Sequence, residues 1–435
     1  MSYLELDTEY AEDDSVQLLR EEVHRFAKNE VRPAALGIDR MNREEYLEIG
    51  AADSPYWDVL TQLKELGYHR AVVPEVFGGG GLTGEEFHVM MEELAWGSSG
   101  LAIALGVDFL PAIFAALSFD DEIQASFLEP YMADTDCEYQ GCWGVTEPNH
   151  GSELVSTASF REGGLDADER ANIPRPDITM EQDGDEWVIN GAKASWVSAA
   201  PLATHCALHV DMDPAEGSAG YAVLVPLAAD GVTKGPPIDK LGQRDCPQGE
   251  LVFDDVRVPE RNVVMTPEML DPETGYVDLS QILSVTSAGM AAVATGLARA
   301  AFEEALAYTR EREQSGKPIC EHQSVKRELY DMFEKVETAR AYSRRVCEHV
   351  WERNLELFEF DASHRHALAA QVYCKQIAFD VADRAVQLHG ANGITRDYPV
   401  EKLFRDARVK LIEDGTTEVL GMEAADGVIE HYEID

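Results

Sequence analysis

Two carboxylates, Glu413 and Asp414, stand side by side in KLIEDGTTEVLG (410–421), immediately before Gly415 and Thr416. A short carboxylate on such a turn can remove a proton from a bound molecule, acting as a general base. The same residue type also caps helices, so Asp414 reads equally as the N-cap of the segment that follows. Upstream, GVTEPNHGSEL (144–154) sets hydroxyls and backbone N–H groups in a loop restrained by glycine and proline. Such a loop can meet an anionic or carbonyl ligand, and an ordinary surface loop has the same composition. INGAKASWVS (189–198) opens on an Asn-Gly turn and places an indole, Trp196, two residues from a hydroxyl, Ser198. That pattern fits a core aromatic or a cofactor wall. TREREQSGKPICEHQ (309–323) ends a basic helix in a Ser-Gly-Lys turn, where arginine can pair with phosphate or face solvent. In AVQLHGANGITRDYPVEKLFRDARV (385–409), Gly390 and Gly393 bracket Asn392, which predicts positive φ or close backbone approach.

The elements that must position these residues fall into three zones. Residues 1–139 place apolar side chains at three- and four-residue spacings, which predicts helices. Within them PEVFGGGGLTGEE (74–86) is a glycine-rich turn, followed by Thr83 as N-cap with Glu86 three residues on. Residues 140–264 carry short runs rich in Val, Leu and aromatics, cut by Asp-Gly, Asn-Gly and Pro, as in a small barrel or sandwich. The polar stretch 161–177 reads as a surface excursion. Residues 265–435 return to helix, with Met290, Val293, Leu297, Ala301 and Ala305 forming one face, as in a bundle. The expected organisation is a helical domain (1–139), a β domain (140–264) and a C-terminal bundle (265–435), an α+β class.

Composition narrows the functions open to such a chain. Its 435 residues are 45% hydrophobic and 27% charged, enough for large cores and unlike a disordered segment. With 36 Lys+Arg against 81 Asp+Glu, the formal charge is −45, which repels nucleic acid and anionic membranes. The acids are spread along the whole chain, as in a protein kept soluble at high salt. The seven cysteines lack a CxxC pair or any zinc-like spacing with His, so reduced thiols and no metal are expected. The first residues, MSYLELDTEY, lack the basic and apolar regions of a signal peptide. No apolar run is expected to approach ~20 residues, so the expectation is a cytoplasmic protein without membrane insertion.

Taken together and in order, these segments resemble the acyl-CoA dehydrogenase family over nearly the whole chain. The resemblance rests on PEVFGGGGL, EELAWGSSG (92–100), VTEPNHGSE, INGAKASWVS, LGQRDCPQGELVFDDVRVP (241–259), TREREQSGKPICEHQ, QLHGANGITRDYPVEKLFRDAR and EDGTTEV. It implies an N-terminal helical domain, a middle β-barrel domain and a C-terminal four-helix bundle. FAD would lie between the last two, in a homotetramer or a related heteromer. Trp143, Val145 and Thr146 would run along the flavin, and Trp196 and Ser198 would flank it. Arg312 and Gln323 would reach the FAD pyrophosphate of a neighbouring subunit. Gln387, Gly390 and Ala391 would approach from the other side, with Thr416 and Glu418 at the adenosine end and Ser152 near the CoA arm. The implied reaction is α,β-dehydrogenation of an acyl-CoA, a carboxylate taking the α-proton while hydride passes to the flavin. Electrons would leave through an electron-transfer flavoprotein.

The sequence departs from the family pattern at the base. The family's loop reads Tyr-Glu-Gly-Thr, and this chain reads Glu413-Asp414-Gly415-Thr416. Asp414 is one methylene shorter, a displacement of roughly 1 Å that can cost about 10²-fold in rate. Asp414 is therefore expected to be the base in a pocket shaped for a branched, cyclic or aryl acyl group. In the alternative, the base is Glu413 or Asp108, the latter (in GVDFLP, 106–111) able to reach a more distant carbon for 1,4-dehydrogenation of a cyclic enoyl-CoA. An oxidase of the same fold and a non-catalytic assembly or binding subunit complete the alternatives. Ser287 and Gly421 stand where relatives carry arginines, with Ser287 expected at the substrate; losing those cations would raise the pKa of a nearby carboxylate.

Overall fold

The computed structural model describes residues 14–151, 176–211, 221–265, 279–352, 363–432 and 434. Helices fill the first part, among them α1 (Asp14–Phe26), α2 (Pro55–Glu65), α3 (Gly84–Gly97), α4 (Ser99–Asp108) and α5 (Leu110–Leu117), with further helical segments such as Arg32–Arg40 between them. Local chemistry sets their starts. Thr83 and Glu86 form the expected capping box on α3, the Glu86 N–H donating to Thr83 Oγ1 at 3.2 Å and the Thr83 N–H to Glu86 Oε2 at 2.9 Å. Ser98 caps α4 by accepting from the Leu101 N–H at 3.2 Å.

The expectation about apolar runs needs correction. Residues 99–117, across α4 and α5, and 283–311 are each long and apolar enough by composition to cross a membrane. In both, 78% of the apolar window is buried inside the fold, so the core already accounts for their apolarity.

Among the described residues the middle region has eight strands in two four-stranded sheets: β1 (Gly141–Gly144), β2 (Thr179–Asp183), β3 (Glu186–Ser198), β4 (His205–Val210), β5 (Tyr221–Pro226), β6 (Val232–Lys234), β7 (Gln248–Pro259) and β8 (Val263–Met265). One sheet runs β1-β4-β5-β8 and the other β2-β3-β7-β6, and Thr179 of β2 bridges to Asp211, just beyond β4. Ile189, Val197, Cys206, Leu208, Val223 and Phe253 form the core the two sheets share. The long β3–β7 ladder loses register between Lys193 and Val197. Within that irregularity Trp196 points outward, 56% exposed.

The C-terminal part is a bundle of α6 (Leu279–Glu311), α7 (Gln323–Trp351), α8 (Ser363–His389), α9 (Val400–Lys410) and α10 (Thr417–His431). The alanine face of α6 is fully buried, including Ala291, Ala294, Ala298 and Ala301. Small residues bring backbones together: a Cβ on Gly296 of α6 would lie 2.2 Å from the Glu92 carbonyl of α3. That contact joins the N-terminal helices to the bundle. A cavity opens where α3, α4 and α6 meet both sheets and the turn between α9 and α10.

Candidate active site

A cavity of about 670 Å³ has three walls of different character. Phe87 and Met91 of α3, Ile103 and Leu105 of α4, and Val285 and Met290 of α6 make an apolar wall. Trp143, Val145 and Thr146, at and just beyond β1, join Trp196 and Ser198 of β3 in a second wall of rings and hydroxyls. The third is the turn Ile412–Thr416 with Arg408 and Val409. Eight candidate site residues from the sequence therefore meet in one space: Trp143, Val145, Thr146, Trp196, Ser198, Glu413, Asp414 and Thr416.

Asp414 is half-buried on this turn at φ 51°, followed by Gly415 at φ 84°. A left-handed conformation is uncommon for a residue with a side chain, though aspartate tolerates it better than most. The helix-capping role falls elsewhere: Thr416 is the N-cap of α10 and accepts from the Val419 N–H at 3.4 Å. Gln371 Nε2 donates to the Asp414 carboxylate at 3.2 Å and to its backbone carbonyl at 3.1 Å. Burial raises the Asp414 pKa and the neighbouring Glu413 adds to the rise; Lys375, Lys410 and the Gln371 bond pull the other way without cancelling it. Glu413 is held differently. Its Oε1 accepts from Gln243 at 2.9 Å and lies 2.9 Å from Lys410 Nζ. Burial raises its pKa too, but Lys410 and Gln243 outweigh burial, and it sits below the usual carboxylate range. The pair is thus divided into a tethered anion and a carboxylate of raised basicity.

Asp108 is not brought to the cavity, although its neighbours Val107 and Phe109 line it. Its carboxylate ends α4, accepts from the Gly141 N–H at 2.6 Å and Gln140 Nε2 at 3.0 Å, and pairs with Lys64 at 3.1 Å. Ser287 is buried in α6 and also absent from the lining, where Val285, Thr286 and Gly289 stand instead. Arg312, Gln323, Gln387, Gly390, Ala391 and Glu418 are exposed and outside the cavity. Gly390 has the expected positive φ, +60°, and a Cβ on Gly393 would lie 2.4 Å from the Val386 carbonyl. Ser152 and most of the 161–177 stretch lie outside the described residues.

Several site residues carried no signal of their own. Gln248 Nε2 donates to Ser198 Oγ at 3.1 Å and to the Trp196 carbonyl at 3.0 Å, and its oxygen accepts from Lys240 at 2.6 Å. Gln371 and Lys375 sit on α8, where two polar residues on a buried face were the available clue. Among the described residues, Glu147, His150 and Asp177 place possible metal ligands within 4.8 Å of one another. Glu147 is already engaged there by Lys193 Nζ at 2.5 Å and by the Asp177 N–H, which makes the trio a brace for the 144–151 loop.

Residues 13–133, 142–256 and 274–429 match the N-terminal, middle and C-terminal domains of acyl-CoA dehydrogenase, respectively. The chain is 30% identical over 408 residues to "Probable acyl-CoA dehydrogenase" of Bacillus subtilis (strain 168), covering 93% of this chain and 95% of that one. It is 29% identical over 413 residues to glutaryl-CoA dehydrogenase of Desulfococcus multivorans, covering 94% of each. Among solved structures, butyryl-CoA dehydrogenase from Megasphaera elsdenii superimposes with a TM-score of 0.78 at 25% identity, over 97% of this chain and 99% of that one.

Proposed function

This chain belongs to the acyl-CoA dehydrogenase family, and from that premise we propose that it removes hydrogen from Cα and Cβ of an acyl-CoA with Asp414 as the base. Members of the family depend on FAD. The residues present suit a flavin: two indoles and two hydroxyls share one wall, and the buried Trp143 Nε1 has no hydrogen-bond partner among the described residues. Trp143, Val145, Thr146, Trp196 and Ser198 would hold the ring, with Gln248 orienting Ser198. Gln387, Gly390, Ala391, Thr416 and Glu418 would hold the remainder, and Arg312 and Gln323 would serve the cofactor of a neighbouring copy in a homotetramer. Bound FAD supplies the hydride acceptor.

The chain's own residues do the rest. The apolar wall excludes water from the acyl group, which strengthens electrostatic interactions at the reacting carbons. Asp414 takes the α-proton in its ionised form. Its pKa stands above the ordinary carboxylate value, so the rate should rise as pH climbs through that raised value. The acyl-facing side chains, Phe87, Met91, Ile103, Leu105 and Met290, bear no charge. They favour a branched, cyclic or aryl acyl group over one ending in a carboxylate. A soluble cytoplasmic enzyme passing electrons to an electron-transfer flavoprotein completes the reading.

The observation that carries this reading is Asp414 on a left-handed turn in the wall of a cavity that also gathers the two indoles and hydroxyls. The test is anaerobic addition of a panel of acyl-CoAs to the purified protein, following the visible flavin band. Bleaching by branched, cyclic or aryl thioesters ahead of glutaryl-CoA supports the proposal. A colourless protein, or a flavin that no acyl-CoA bleaches, overturns it; peroxide formed in air without an acceptor protein would move it to an oxidase.

A further inference from the structure

The turn that carries Asp414 is held by two side chains from a single helix. Lys375 Nζ donates to the Glu413 carbonyl at 2.6 Å and to the Gly415 carbonyl at 3.1 Å. Gln371, one helical turn earlier on α8, donates to the carbonyl between them, that of Asp414, at 3.1 Å. Three successive carbonyls are thus taken up by residues i and i+4 of one face. The same Gln371 amide reaches the carboxylate at 3.2 Å. Both side chains are fully buried. An amine and an amide placed inside a bundle cost stability unless hydrogen-bonded, and here their partners are the backbone of one turn and the carboxylate it carries.

We propose that Lys375 and Gln371 are positioning residues that lock the Asp414 turn in its left-handed conformation and aim the shortened carboxylate into the cavity. The inference rests on Asp414 being the base. With one methylene fewer, an aspartate cannot recover its reach by side-chain rotation, so the backbone must be fixed where the carboxylate is useful. Four hydrogen bonds from a rigid helix do this. The charge of Lys375 has a second effect, because it faces Asp414 and Glu413 together, with Lys410 of α9 nearby. Burial pulls the amine down to about 8, with the two carboxylates opposing. Its cation in turn restrains the rise in the Asp414 pKa.

The test compares flavin-loaded wild type with Lys375→Met, Lys375→Arg, Gln371→Ala and Asp414→Asn. Single-turnover bleaching is measured against pH, and hydrogen exchange of the 411–417 amides without substrate. Lys375→Met should bleach about 10–100-fold slower, the scale of a misplacement near 1 Å. Its rate–pH profile should shift to higher pH, because the cation that favours ionised Asp414 is gone, and its 411–417 amides should exchange faster. Lys375→Arg keeps the charge and should hold the profile in place. If Lys375→Met does not load flavin, Gln371→Ala tests the same clamp and should slow bleaching and speed exchange in the same segment. An inactive Asp414→Asn beside a Lys375→Met, or in its stead Gln371→Ala, with wild-type rate and exchange overturns this inference alone. Wild-type bleaching by Asp414→Asn overturns the base assignment and the inference with it.

Discussion

Replacing Arg299 by methionine should destabilise the protein by removing a cation that two buried carboxylates share. Arg299 Nη1 donates to Glu92 Oε1 at 2.8 Å and to Glu93 Oε1 at 2.9 Å, while Nη2 reaches Glu93 Oε2 at 2.5 Å. All three side chains are almost wholly inaccessible. Breaking a buried ion pair by removing one partner costs about 3–5 kcal/mol. Here the lower end applies, because Glu92 keeps Arg340 at 3.0 Å and Glu93 keeps His24 at 2.8 Å. At about 2.1 cal/mol/K of unfolding entropy per residue, a chain of 435 residues loses roughly 1 °C per kcal/mol, so a loss of about 3 kcal/mol lowers Tm by about 3 °C. The pH dependence gives the sharper check. Burial raises both carboxyl pKa values, but Arg340 and Arg299 outweigh it at Glu92, and Arg299 and His24 hold Glu93 near 2. In the wild type these depressed values contribute stability at neutral pH that is lost only as pH falls through them. In Arg299→Met the carboxyl pKa values rise, so the deficit should be largest at pH 7 and shrink toward pH 4. Thermal denaturation at fixed salt over that range measures it. A Tm within about 1 °C of wild type at pH 7, or a deficit that grows on acidification, would refute the reasoning.

Two further substitutions separate structure from chemistry. Asp108→Asn keeps an acceptor for the Gly141 N–H but loses the pairing with Lys64, so stability should fall by about 1–3 kcal/mol in thermal denaturation while bleaching stays within a few-fold of wild type; loss of bleaching in a folded variant would restore Asp108 as a base. Gly289→Val crowds the cavity, because a Cβ there already lies 3.2 Å from Phe87 Cζ. It should cost about 1–3 kcal/mol and slow bleaching by bulky acyl-CoAs more than by short ones, read from the same panel.

The parts of this molecule legible in sequence are those with local signatures. Thr83 and Glu86 lie three residues apart and form their capping box; Gly390 and Gly393 mark positions where backbone geometry demands glycine. The motif segments around Trp143, Trp196 and Asp414 were each ambiguous alone, and the fold brings them to one cavity. What stayed hidden depends on contacts between distant segments. Gln371 and Lys375 meet the Asp414 turn across about forty residues of chain, and nothing local marks a lysine as a backbone clamp. Asp108 reads as a candidate base in sequence because Lys64 and Gly141, its partners, come from elsewhere. The 99–117 run is long and apolar enough to cross a membrane, and its burial in the fold accounts for that apolarity. The cap lies two residues beyond Asp414 for a related reason: Asp414 adopts positive φ, and the extended N-cap conformation falls to Thr416.

The central claim is that Asp414 removes the α-proton. Its most direct measurement is anaerobic single-turnover bleaching of flavin-loaded Asp414→Asn by the acyl-CoA that bleaches wild type fastest. Asparagine keeps the shape and the Gln371 contact while removing the basic oxygen. A rate at least about 10³-fold below wild type, with flavin content and Tm retained, is the predicted result. Bleaching at the wild-type rate would contradict it.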